Sequence, residues 1–126
     1  AFLETVRGVW ESEKIEVVMS IIKETERKPT YAIAVAVVLA ISGVPLRAAL
    51  LAYFHSFSSN LVSAGVRLIP LGQSAGQRCI ESIKPTINTS IRAALCDDFE
   101  NVGTAAPIIE LASMKHETQY SRLFRS

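Results

Sequence analysis

Thirteen consecutive residues, Thr30 to Ser42, read TYAIAVAVVLAIS and carry no charge. A segment this apolar has to be covered, either by lipid or by protein. A bilayer span needs about 20 apolar residues; this run is shorter, and Gly43, Pro45 and Arg47 interrupt the chain just after it. Alternating alanine and valine leave a strand open as a minor alternative. Thr30 is suited to an N-cap, alanine is the best helix former, and Gly43 supplies a C-terminal stop. The run predicts a helix buried nearly all round, at the core of an all-α protein.

The rest of the chain supports that class. Few residues from Phe2 to Lys28 break a helix, and Ile15, Val18, Met19 and Ile22 recur at helical spacing among Glu13, Glu16, Lys23 and Glu26. Lys28-Pro29 ends this segment, because proline disfavours the helical region for the residue before it. Pro45 suits the first turn of a new helix. Leu46, Leu50, Tyr53, Phe54, Phe57 and Leu61 form its stripe, opposite the small residues Ser56, Ser59, Ser63, Ala64 and Gly65. That small face serves either internal packing or an interface. Pro70 breaks the helix, and Ile80, Ile83, Ile87 and Ile91 resume the pattern from about Gly72. Pro85 within that pattern predicts a kink or a division. Asp97, Asp98, Glu100, Asn101 and Gly103 mark a loop, and a last helix begins near Pro107. The expectation is a compact bundle of about five to seven helices, one domain over residues 1–126.

Composition narrows the function classes. The 126 residues carry 13 basic and 12 acidic side chains, a net charge of +1, so no global field favours nucleic acid or an anionic membrane. Cys79 and Cys96 form no CxxC pair and lie far in sequence from His55 and His116, so spacing gives no zinc signature. They read as two buried thiols in a reducing compartment. Asn88-Thr89-Ser90 matches a glycosylation sequon and, without a secretory context, reads as coincidence.

The stretch RLIPLGQSAGQR, Arg67 to Arg78, poses the functional question. A phosphate loop of the GxxxxGK[ST] type needs a lysine after its second glycine, whereas Gln77 follows Gly76; the GxGxxG pattern is absent too. Helix geometry fits better. Gly72 and Gly76 are four apart, as are Gln73 and Gln77, so two adjacent stripes are expected, one without side chains and one of amides. Each glycine costs a helix about 1 kcal/mol relative to alanine, which suggests a close approach in return. Glutamine amides donate and accept, and Arg67 and Arg78 are able to make forked contacts to carboxylates or carbonyls. A tight crossing inside the fold, with a buried arginine, is the competing reading.

No GxSxG elbow appears, and His116-Glu117 lacks the second histidine of HExxH. A small enzyme using His116, Glu117 and Tyr120 is therefore the alternative without a supporting motif. From the residues alone the chain is a helical interaction protein.

Two stretches resemble a known family. NLVSAGVRLIPLGQSAGQR (Asn60 to Arg78) is similar to the central signature of the urease accessory protein family UreF, and APIIELASMKHETQYSRLFRS (Ala106 to Ser126) to its C-terminal signature. The segment from Pro29 to Leu95 fits throughout; Ala1 to Lys28 agrees loosely. Members of that family are usually longer. Together with an opening Ala1 in place of Met, this predicts the C-terminal portion of a longer UreF-like protein.

The resemblance implies an all-α, non-catalytic scaffold without a cofactor of its own. It implies a cytoplasmic protein, commonly dimeric, that binds the accessory protein UreD (UreH in some species). Through it the GTPase UreG is recruited and nickel is inserted into apo-urease. Carried over by position, Arg67, Gly72, Gln73, Gly76 and Gln77 match the central motif. His116, Glu117, Tyr120, Arg122, Leu123, Phe124, Arg125 and Ser126 match the terminal one. These are the expected partner-binding residues; direct nickel binding is not implied. In the tail, an aromatic and a leucine flanked by arginines suit an anchor that a partner orders.

Overall fold

A computed structural model describes residues 2–101, 103 and 106–118, without the side chains of Phe99 and Glu117. Among the described residues every regular element is helical. The chain forms two compact units, Ala1–Leu95 and Cys96–Ser126.

The first unit opens with α1 (Phe2–Val9) and α2 (Glu13–Thr25). One continuous segment was expected to Lys28, and the chain instead turns at Trp10–Ser12. Ser12 adopts an extended conformation, and its carbonyl accepts from the amides of Ile15 and Glu16 at 3.0 and 3.2 Å. Arg7 Nε donates to Glu16 Oε1 at 2.6 Å across the corner. The signal was present in Gly8 and Ser12, a weak helix residue followed by a capping type. α2 stops before Lys28-Pro29, because Glu26 takes a left-handed φ of 54°.

Helix α3 (Tyr31–Ile41) fulfils the helical reading of the apolar run. Its end is a complete glycine cap: the Gly43 amide donates to the Ala40 carbonyl and the Val44 amide to Leu39, both at 3.0 Å, with Gly43 at φ +72°. Ala34 and Val38 of α3 join Leu3 of α1 in a buried cluster against Phe2, Val6, Val18, Met19 and Ile22. The Phe2 ring meets Tyr31 edge-on at 5.5 Å. Burial all round is not what forms, however. Ile33 is more than half exposed, because α1 and α2 cover one side of α3 while its other side opens on a groove with α4; Tyr31, at the start of the helix beside Phe2, is 64% exposed as well.

Helix α4 (Leu46–Leu68) begins after Pro45 and has no fully buried residue. Leu50, Tyr53 and Phe54 of its stripe are half-buried, whereas Leu46, Phe57 and Leu61 are exposed. Helix α5 (Gln73–Cys96) is a single helix through Pro85, not divided there. Proline removes one ladder donor, and side chains bond the nearby carbonyls: Asn88 Nδ2 to Lys84 O and Thr89 Oγ1 to Pro85 O, each at 3.1 Å. Ile87 and Ile91 are buried, Ile80 and Ile83 half-buried. The cysteines are not buried as expected. Cys79 and Cys96 are free and exposed, because the isoleucine stripe occupies the inward face and Cys96 is the last residue of the helix. Seventeen helical steps set them about 25 Å apart, too far to bridge.

In the second unit, a short 3₁₀ turn at Phe99–Asn101 is tied by Asp97 Oδ1, which accepts from the Asn101 side chain at 2.9 Å. Helix α6 (Pro107–Glu117) starts at the expected proline, and its Ile108, Ile109, Leu111 and Met114 are exposed.

Candidate functional site

The central motif folds as the corner between α4 and α5. Pro70 lies in the linker, and the Ile69 amide closes α4 by donating to the Gly65 carbonyl at 2.9 Å. Gly72 precedes α5, and its carbonyl accepts from Ala75 and Gly76 at 2.9 and 3.0 Å. Gly72 is therefore the cap of the helix and not part of its face, which corrects the expectation of a glycine stripe. A Cβ on Gly72 would meet nothing within 4 Å.

Gly76 behaves differently. It is buried, and a Cβ there would lie 2.8 Å from Val66 Cγ2 and 3.4 Å from Val62 Cγ1. The close approach is thus made by one glycine, inside the fold, onto two valines one turn apart on α4. Its counterpart in the competing reading, a buried arginine, is absent: Arg67, Gln73 and Gln77 are all exposed. The two halves of the motif separate, glycine holding the corner and the polar groups facing outward.

Those groups rim a cleft of about 120 Å³. Ser63 and Arg67 come from α4, Gln73 and Gln77 from α5, over Val62, Val66, Gly76 and Ile80. Gln73 and Gln77, four apart, do share a face as expected. Arg78 lies on α5 and is not among the residues lining the cleft. Sequence reasoning missed Val62 and Val66; Ser63 was named only as part of the small face of this helix. Their spacing of four puts the two valines on one face of α4, but nothing within either helix says that this face meets Gly76.

On the terminal motif, His116 is exposed in the last turn of α6 and Glu117 ends that helix. Tyr120, Arg122, Leu123, Phe124, Arg125 and Ser126 lie outside the described residues. Among the described residues no group of three or more His, Cys, Asp or Glu is arranged to hold a metal ion. No described helix is long and apolar enough to cross a membrane.

The other prominent surface is apolar. The groove between α3 and α4, about 440 Å³, is lined by residues including Ile33, Leu39, Leu46, Leu50, Tyr53 and Phe54.

The UreF family model matches residues 1–84. A urease accessory protein UreF of Rhodopseudomonas palustris (strain TIE-1) is 42% identical over 126 residues, covering 100% of this chain and 51% of that protein. The UreF protein of Bradyrhizobium diazoefficiens is 39% identical over 127 aligned residues, with the same 100% and 51% coverage. That of Granulibacter bethesdensis reaches 51% over 84 residues, covering 67% of this chain and 36% of its own length. The chain spans about half the length of most of these curated relatives. With the family model matching residues 1–84 and 42% identity to a curated relative over its whole length, the chain belongs to the UreF family.

Proposed function

We propose that the chain is a non-catalytic scaffold for urease maturation: it binds a UreD/UreH-like accessory protein and, in that complex, recruits a UreG-like GTPase that delivers nickel to apo-urease. Nickel is cargo of the assembly and is not assigned to residues of this chain. Family membership carries the reading. Two surface properties support it. The open apolar groove on α3 and α4 is of the kind that protein contacts cover, and the exposed Arg67, Gln73 and Gln77 carry hydrogen-bonding groups suited to recognition. A cytoplasmic location and a homodimer belong to the same proposal.

The test is co-expression with tagged UreD-like and UreG-like proteins from one urease operon. Recovery of this chain with the UreD-like protein, and of the GTPase only when both are present, is the expected result. Failure of this chain to co-purify while the other two remain folded overturns it. Deleting Tyr120 to Ser126 should lower recovery of the UreD-like partner; undiminished recovery removes the tail from the binding set. Light scattering of the purified chain checks the dimer.

A further inference from the structure

We infer that the groove between α3 and α4 seats an apolar helix from the part of a UreF protein that this chain does not span; the inference goes beyond the scaffold reading and rests on family membership. Three observations converge. Helix α3 carries no charge on any side, and a helix apolar all round is a buried one, yet Ala32, Ile33, Ala36 and Ala40 are exposed. The groove they line with Leu46 and Tyr53 of α4 contains no charged residue. Such a wall resembles a core cut in half, as permanent interfaces do, and not the polar-rimmed face that a transient partner meets. The curated relatives align with the whole of this chain and continue for about as long again, so chain of the same family is at hand to cover it.

Shape and chemistry specify a helix as the occupant. Ala32, Ala36 and Ala40 stand one turn apart and mark out about 12 Å of α3. Side chains this small let a second helix pack at about 8 Å, the near end of the usual spacing. Two turns of an amphipathic helix present about three or four apolar side chains to a groove of about 440 Å³. The lining side chains offer only the Tyr53 hydroxyl as a hydrogen-bonding group. An extended segment would bury its N–H and C=O groups there without partners, whereas a helix pairs its own. Phe57, Leu61 and the corner residues Arg67, Gln73 and Gln77 are not part of this lining, so they stay open to the partners proposed above.

Photo-crosslinking in the whole Rhodopseudomonas palustris (strain TIE-1) UreF protein tests this. With p-benzoylphenylalanine at the position aligned with Ile33, or separately with Leu46, illumination should link that position to a residue of the same chain outside the stretch aligned here. Crosslinks only to a second copy, only to a co-expressed UreD-like protein, or only within the aligned stretch overturn the inference, as does the absence of any crosslink at both positions. A charge placed in the groove tests it without a probe. In this chain Ala36→Glu should leave the urea midpoint unchanged, because the residue is exposed. At the aligned position of the whole relative, glutamate sets a charge under the seated helix and should lower the midpoint by about 1 M or more, or prevent folding. An unchanged midpoint in both proteins, or an equal fall in both, overturns it. If both tests fail while a UreD-like protein still co-purifies with this chain, the inference is lost and the scaffold reading stands.

Discussion

The two ends of the first unit use apolar side chains in opposite ways. Around α1 to α3, Leu3, Ala34 and Val38 are buried at 4–7% exposure under a ring of five further apolar residues. Helix α4 is nearly as apolar in its first half, yet none of its 23 residues is fully buried, and Leu46, Phe57 and Leu61 are 55–65% exposed. Hydrophobicity alone therefore does not separate core from contact surface. Position in the helix order does: α3 lies against α1 and α2 on one side, and α4 extends beyond them. The first region supplies cohesion, and the second, together with the first turns of α5, is left open as the surface that the proposed scaffold role would use.

Truncating a buried residue on either side of that divide should cost most. Ile91 is 1% exposed, and Ile91→Ala should lose about 2–5 kcal/mol in urea denaturation. A loss under about 1 kcal/mol would show that α5 is not held as described. Next comes the corner. Gly76→Ala places a methyl 2.8 Å from Val66 Cγ2, an overpacking cost of about 1–3 kcal/mol. Val66→Ala should cancel part of that penalty in a double-mutant cycle; strict additivity would mean the two residues do not meet. Glu26→Gly acts in the other direction. Relief of the left-handed φ of 54° should raise stability by about 0.5–1 kcal/mol, and a destabilised variant would contradict that backbone. Smallest in stability is Phe57→Ser on exposed α4. It should change folding by no more than about 0.5 kcal/mol while lowering capture of the UreD-like partner. An equal fall in stability would move Phe57 into the core.

Much of the architecture was legible because its signals are local. Pro45, Pro70, Pro107 and the Gly43 stop act within one turn of themselves, so the starts of α4 and α6 and the end of α3 can be read from the residues. The burial of α3 could not, since side chains of α3 report that they are apolar and not what lies opposite them. Cys79 and Cys96 failed for a related reason: the isoleucines of α5 compete for the same inward face and win it. The candidate site was half legible. Spacing of four placed Gln73 and Gln77 together, and the same spacing misplaced Gly72, which the cap of α5 claims before any helix face exists. Val62 and Val66 entered only once α4 and α5 were seen to meet, a contact that no periodicity within either helix encodes.

The division of labour within the first unit is tested most directly by amide hydrogen exchange of this chain, free and in complex with a UreD-like partner. Protection should rise on complex formation across α4 and the start of α5, residues 46–80, and stay unchanged across α1 and α2. Protection confined to α1 and α2, with α4 exchanging as in the free chain, would contradict it.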